Sequence, residues 1–150
     1  MAPERILVAA DHAGFPLKQR LSARLDQAGY EVVDLGTDGE ESVDYPDFGA
    51  ALAAALGDGK ASRGVVICGT GIGISIAVNR FPWVRAALCH DGLSARFARQ
   101  HNDANVLALG ARLIGEETAW DCLTQFLATP FEGGRHENRV AKLSALNNSE

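Results

Sequence analysis

Apolar positions along this chain switch between two spacings. Short runs of β-branched and aliphatic residues occur at Arg5–Ala10 (RILVAA), Glu31–Leu35 (EVVDL), Val65–Ile67, Val84–Cys89 (VRAALC) and Asn105–Leu109 (NVLAL). Runs of this length predict strands, and an unbroken one such as Val65-Val66-Ile67 predicts a strand buried on both faces. Between the runs, apolar residues recur every three or four positions. Leu17, Leu21 and Leu25 predict a helix that Pro16 opens and Gly29 stops. Phe48, Leu52 and Leu56 predict a second, ended by Gly57-Asp58-Gly59. A third is expected to start in the Ile/Ala/Val run of the glycine-rich stretch around Gly69–Gly73. A fourth is expected to run from Asp91, as N-cap, to about Gln100. Glu116–Ala128 is the fifth and His136–Leu146 the last, separated by the breaker Pro130–Gly134. The NNSE tail is expected to fray.

Five strand–helix units in succession predict a parallel sheet with helices on both faces. The expected fold is α/β: one domain over residues 1–150, a three-layer α/β/α sandwich around a five-stranded parallel, Rossmann-like sheet. Such sheets hold ligands beyond the carboxyl ends of their strands, near the point where strand order reverses. The first strand ends on Asp11-His12 and the third on Cys68, so polar groups stand where this architecture keeps its sites.

The stretch Gly64–Asn79, GVVICGTGIGISIAVN, carries the strongest local signal. A strand stops on a thiol, passes Gly69, Thr70, Gly71 and Gly73, and turns into a helix. Glycines let the backbone approach a ligand, and the first N–H groups of a helix lack partners. The local reading is an anion-accepting cradle with a cysteine on its rim. It is not a nucleotide loop. Gly73 is followed by Ile74-Ser75 rather than Lys-Ser/Thr, and no glycines fall at offsets of zero, two and five.

Composition narrows the partners. A net charge of −5 argues against a general nucleic-acid binder, and no apolar run reaches membrane length. The charge is uneven: residues 1–60 carry −6 and residues 61–150 carry +1. Most cations of the second part are arginines, the side chain suited to bidentate phosphate contacts. MAPERILVAADH lacks the basic-then-apolar pattern of a signal peptide, and Cys68, Cys89 and Cys122 form no CxxC pair. Reduced thiols in the cytoplasm are the expectation. Cys89 and Cys122 fall in apolar patterns and are expected in the core. His12, His90, His101 and His136 show no HxxxH or Cys/His ligand spacing, so neither metal nor cofactor is expected. Taken alone, His12 reads as a helix cap or a site residue, and His101 as a connector between helix and strand. Arg135 and Arg139, four apart, share one helix face that reads alone as a solvated basic surface.

Taken together the motifs match a family. DHAGF at 11–15, the Asp44-Tyr45-Pro46 turn, CGTGIGISIA at 68–77, RQHNDANVLALGAR at 99–112 and EGGRHENRV at 132–140 resemble the type B ribose-5-phosphate isomerases. That family also includes galactose-6-phosphate and allose-6-phosphate isomerases. The resemblance runs from about Arg5 to Leu146.

The resemblance implies a metal-independent aldose–ketose isomerase that works through a cis-enediolate. It makes Cys68 the base that moves a proton between carbons one and two, with Thr70 as helper. The backbone from Gly69 through Gly71 and Ile72 to Gly73 would hold the enediolate charge. His101 would open the sugar ring, with Asn102 beside it. Asp11, His12 and Tyr45 would contact sugar or phosphate, and Arg112, Arg135 and Arg139 would bind phosphate. The family is dimeric and completes each site from the second subunit, so a homodimer is expected for this chain, with a dimer of dimers as the alternative. Some members replace the cysteine with a glutamate in the following loop. Here Cys68 is present and Ile74 stands at that position, so the cysteine version applies.

Three rival readings follow from the same residues. The same chemistry could serve a hexose 6-phosphate or a tetrose 4-phosphate. Cys68 and His101 could form a hydrolase pair, or the chain could be a non-catalytic phosphosugar-binding module.

Overall fold

The computed structural model describes residues 2–146, so the NNSE tail lies outside the described residues. Five strands form one sheet: β1 (Arg5–Ala10), β2 (Glu31–Asp34), β3 (Arg63–Cys68), β4 (Ala86–Leu88) and β5 (Val106–Gly110). Their order is β2-β1-β3-β5-β4 and every pairing is parallel. The order reverses between β1 and β3, which places the ends of those two strands at the switch point. The register sets Ala10 beside Ile67 and Cys68 beside Gly110. The helices are α1 (Phe15–Gln27), α2 (Tyr45–Gly57), α3 (Ile72–Val78), α4 (Gly92–Asn102), α5 (Glu116–Ala128) and α6 (Arg135–Ala145).

Successive strand residues point to opposite faces, and both faces are covered. Ile6, Val8, Val65, Ile67, Leu107 and Leu109 pack with Leu17, Leu21 and Leu25 of α1 and with Leu123 and Phe126 of α5. Leu7, Ala9, Val66, Val106 and Ala108 pack on the other side with Leu52 of α2 and Ile74 and Val78 of α3. Each large aliphatic side chain buried this way contributes about 1.5–3 kcal/mol. Cys89 and Cys122 are core residues as expected, and burial pushes the Cys122 thiol up to about 12. Among the described residues no helix is long and apolar enough to cross a membrane.

Several boundaries differ from the sequence reading; β2 ends at Asp34, β3 runs from Arg63 to Cys68 and β5 from Val106 to Gly110. The edge strand β4 keeps three residues, because the backbone N–H groups of Arg85 and Ala86 are claimed by the side chains of Asn105 and Asn79. Helix α4 continues through His101 and Asn102 and stops at Asp103, whose φ of 47° ends it in the left-handed region. His101 is therefore a last-turn residue and not part of a connector. Helix α3 begins at Ile72, before Gly73, and α6 begins at Arg135.

One buried ion pair shapes the carboxyl end of the sheet. Lys18 of α1 is fully buried and donates to both carboxylate oxygens of Asp34, at 2.7 and 2.6 Å. Asp34 also accepts the N–H of Gly36, and Gly36 and Thr37 bond back to Ala10. This fixes the root of the acidic loop that crosses above β1.

Candidate active site

Two groups of candidate residues emerge, at opposite ends of the sheet. The first surrounds Cys68. As the last residue of β3, Cys68 is 4% exposed, and its Sγ accepts the Gly71 N–H at 3.2 Å. Gly71 has φ 77°, and a Cβ there would lie 2.6 Å from Leu88 and 2.8 Å from the Leu109 backbone. Only glycine fits this turn, and the turn is what aims the N–H at sulfur. Thr70 is exposed beside it, its Oγ1 accepting the Ile72 N–H.

Neighbouring elements wall this turn. Tyr45, the first residue of α2, lays its ring over Gly73, where a Cβ would meet it at 2.5 Å. Asp11 is buried, and its carboxylate accepts the Gly14 N–H, which ties the β1–α1 turn. His12 Nδ1 accepts the N–H of Val43 from the acidic loop, at 3.1 Å. A neutral His12 therefore carries its proton on Nε2 and presents it as a donor. The Arg112 backbone N–H bonds to Gly69, and its side chain lies over that glycine, Nη1 coming within 3.2 Å of where a Cβ would sit.

The second group lies at the amino end of the sheet. Gly64 at the start of β3 donates to Asn105 just before β5, so the end of α4 stands a strand length away from Cys68. Six residues of β3 span roughly 20 Å at about 3.3 Å per residue. His101 is stacked between Phe97, at 5.0 Å between ring centroids, and His136 of α6, at 4.5 Å. Asn102 is exposed next to it. Arg135 and Arg139 are exposed on α6, which packs against α4. Among the described residues, no hydrogen bond or ion pair engages the guanidinium of Arg112, Arg135 or Arg139. By contrast Arg63, Arg85 and Arg99 are each tied to a carboxylate.

The chain thus brings Asp11, His12, Tyr45, Cys68, Thr70, Gly69–Gly73 and Arg112 together. It gathers His101, Asn102, Arg135 and Arg139 elsewhere. Sequence reasoning missed His136, which is buried against His101, and Phe97, which stacks on it. The i,i+4 spacing from Glu132 was the one signal available for His136, and it crosses the Gly133-Gly134 break. Burial first, then the Arg135 charge, holds His136 below the usual histidine range.

A parallel α/β sandwich with a thiol and a glycine cradle at its switch point is an architecture for handling a small anionic substrate. A family model described as Ribose/Galactose Isomerase matches residues 6–143, and the chain belongs to that family of sugar-phosphate, aldose–ketose isomerases. It is 44% identical over 143 residues to ribose-5-phosphate isomerase B of Escherichia coli, covering 95% of this chain and 96% of that one. Among solved structures, Clostridium thermocellum ribose-5-phosphate isomerase B superposes with a TM-score of 0.94 at 49% identity, covering 96% and 97% of the two chains. The Mycoplasma genitalium enzyme, solved with bound ribulose 5-phosphate, gives 0.93 at 36% identity with both chains fully covered.

Proposed function

We propose that the protein interconverts ribose 5-phosphate and ribulose 5-phosphate, a step of pentose phosphate metabolism. The observation that carries this reading is the Cys68 sulfur receiving the Gly71 N–H inside the glycine turn, in a chain of this family. The thiolate takes the proton from carbon two of the open aldose. The resulting enediolate spreads negative charge over two oxygens beside the Gly69–Gly73 backbone. Oriented N–H donors stabilise such charge without reorganising. Thr70 Oγ1 carries the hydroxyl proton from oxygen two to oxygen one, and the thiol returns its proton to carbon one, leaving the ketose. The balance closes without a metal or a redox cofactor.

Ring opening comes first, with His101 as acid–base group. Asn102, Asp11, His12 and Tyr45 hold the sugar, and Arg112, Arg135 and Arg139 hold the phosphate. Because His101 and Cys68 lie at opposite ends of one sheet, the complete site needs a second copy of the chain. The proposed assembly is a homodimer in which each site takes its Cys68 end from one protomer and its His101 end from the other. Exposed Ile72 and Ile76 on α3 and Leu93 and Phe97 on α4 support such an interface, since apolar residues grouped at a surface favour association. The unpaired cysteines fit a cytoplasmic enzyme.

The test is a panel of aldose 4-, 5- and 6-phosphates in deuterated water, followed by proton NMR. Ribose 5-phosphate is expected to turn over with the highest kcat/KM and to exchange at carbon two. Preference for a six-carbon phosphate would move the assignment within the family, and absence of turnover on every sugar would reject it.

A further inference from the structure

His101, Glu132 and His136 each bring one donor atom to a common point, and those atoms lie within 4.8 Å of one another. His136 is 5% exposed, and its Nε2 is buried without a hydrogen-bond partner among the described residues. Glu132 Oε1 lies 3.5 Å away, longer than an N–H···O bond. Buried polar atoms are ordinarily paired, so an orphaned imidazole nitrogen facing a carboxylate and a second imidazole points to an occupant. Two imidazoles and one carboxylate suit zinc and its neighbours, whereas magnesium and calcium take oxygen ligands.

We propose that His101, Glu132 and His136 bind one divalent transition-metal ion of the zinc type, and that the ion switches the isomerase off by occupying His101. The switch rests on the ring-opening role proposed above for His101; the metal site does not. A tetrahedral ion with bonds of about 2.0–2.1 Å holds its donors about 3.4 Å apart. From a spread of 4.8 Å the cluster closes by about 1.4 Å at most. The two imidazole planes are 16° apart and stacked, so one ring must turn for both lone pairs to meet the ion. His101 is the ring that turns, being half-buried where His136 is buried, and Glu132 is 47% exposed and free to follow. The charges of Arg135 and Arg139 oppose a cation and that of Glu132 favours it. The site is accordingly weaker than a four-ligand structural zinc site, which suits reversible occupation.

The experiment titrates chelator-treated protein with Co²⁺, read by visible d–d absorption, and with Zn²⁺, read by calorimetry, while isomerase activity is assayed at matched occupancy. Expected are one ion per chain, a cobalt spectrum without thiolate charge transfer, activity falling with occupancy, and full recovery in EDTA. Glu132→Gln keeps the residues of the reaction in place. It is expected to retain the metal-free rate, to weaken Zn²⁺ by about tenfold or more, and to shift inhibition by the same factor. Cys68→Ala is expected to bind Co²⁺ like wild type, which separates this site from capture by the thiol. Absence of binding, or binding untouched by Glu132→Gln, overturns the site. Binding through these residues at an unchanged isomerase rate overturns the switch. Assay of His101→Ala in EDTA reads the ring-opening role by itself, so failure of that role is not confused with failure of the metal site.

Discussion

At the carboxyl end of the sheet the candidate residues are held by backbone, and at the amino end they are held by side chains. Cys68 ends a buried central strand, Gly71 N–H fixes its sulfur, and a neighbouring loop N–H fixes His12. Cys68 and His12 are set there by strand register and turn geometry, and of the candidate side chains at this end only the Arg112 guanidinium resembles the uncommitted arginines of the other. His101 instead stands in the last turn of a helix, sandwiched between the rings of Phe97 and His136, with uncommitted arginines beside it. The first arrangement suits a reaction in which charge must be met by dipoles that do not move. The second suits a flexible dianion and a group that both gives and accepts a proton. Under the proposed assignment neither end holds a complete set of groups for the isomerisation, and the strand between them keeps the two apart.

The sharpest way to break this division is at Cys68. Cys68→Ala is expected to lower kcat by about 10²–10⁴, the ordinary worth of a positioned base, with circular dichroism and melting behaviour retained. A rate near wild type would remove Cys68 from the chemistry.

Next comes His101, where ring chemistry supplies an internal control. A pentose 5-phosphate closes to a furanose, whereas a tetrose 4-phosphate has its 4-oxygen esterified and cannot. His101→Ala is expected to lose a factor of about 10² in kcat/KM on ribose 5-phosphate and much less on erythrose 4-phosphate, the pair being measured on one preparation. Equal fractional losses would reassign His101 to holding the substrate or moving the carbon-bound proton.

A smaller effect is expected from the arginines. Arg139→Ala should lower kcat/KM by about tenfold, mostly through KM, because the phosphate is remote from the reacting carbons. Steady-state kinetics across phosphate-bearing and phosphate-free pentoses would show the loss confined to the former. The smallest is expected from the remaining thiols. Cys122→Ala should lower stability by about 1 kcal/mol in urea melts while leaving the rate intact, since Cys122 is fully buried in the core. Loss of activity without loss of stability would place a second thiol in the mechanism.

The two ends also differ in how far the sequence disclosed them. The Cys68 end was legible, because a β-branched run, a thiol and alternate glycines each carry a local conformational meaning. The regular helices α1 and α5 were legible from their apolar repeat. The His101 end was not read correctly in structure: Asn102-Asp103 looks like a connector, but the left-handed Asp103 sits one residue beyond a helix that has already carried His101 round to face α6. The partnership of His101 with His136 depends on the packing of α6 on α4, a tertiary contact that no spacing in either segment encodes. The shortening of β4 depends likewise on asparagine side chains from two other elements.

The central claim is that each active site joins the Cys68 end of one protomer to the His101 end of another. Mixing Cys68→Ala with Arg139→Ala under conditions that exchange subunits tests it directly. Free exchange at equal concentrations makes half of the dimers hybrid, and each hybrid holds one intact site of two; assayed with substrate well below KM, where Arg139→Ala keeps about a tenth of the rate, activity should rise on exchange from about a twentieth to about a quarter of wild type. Native mass spectrometry of differently tagged chains would count the hybrids. No recovery of activity, with hybrids present in that proportion, would contradict the shared site and return Arg139 to its own protomer.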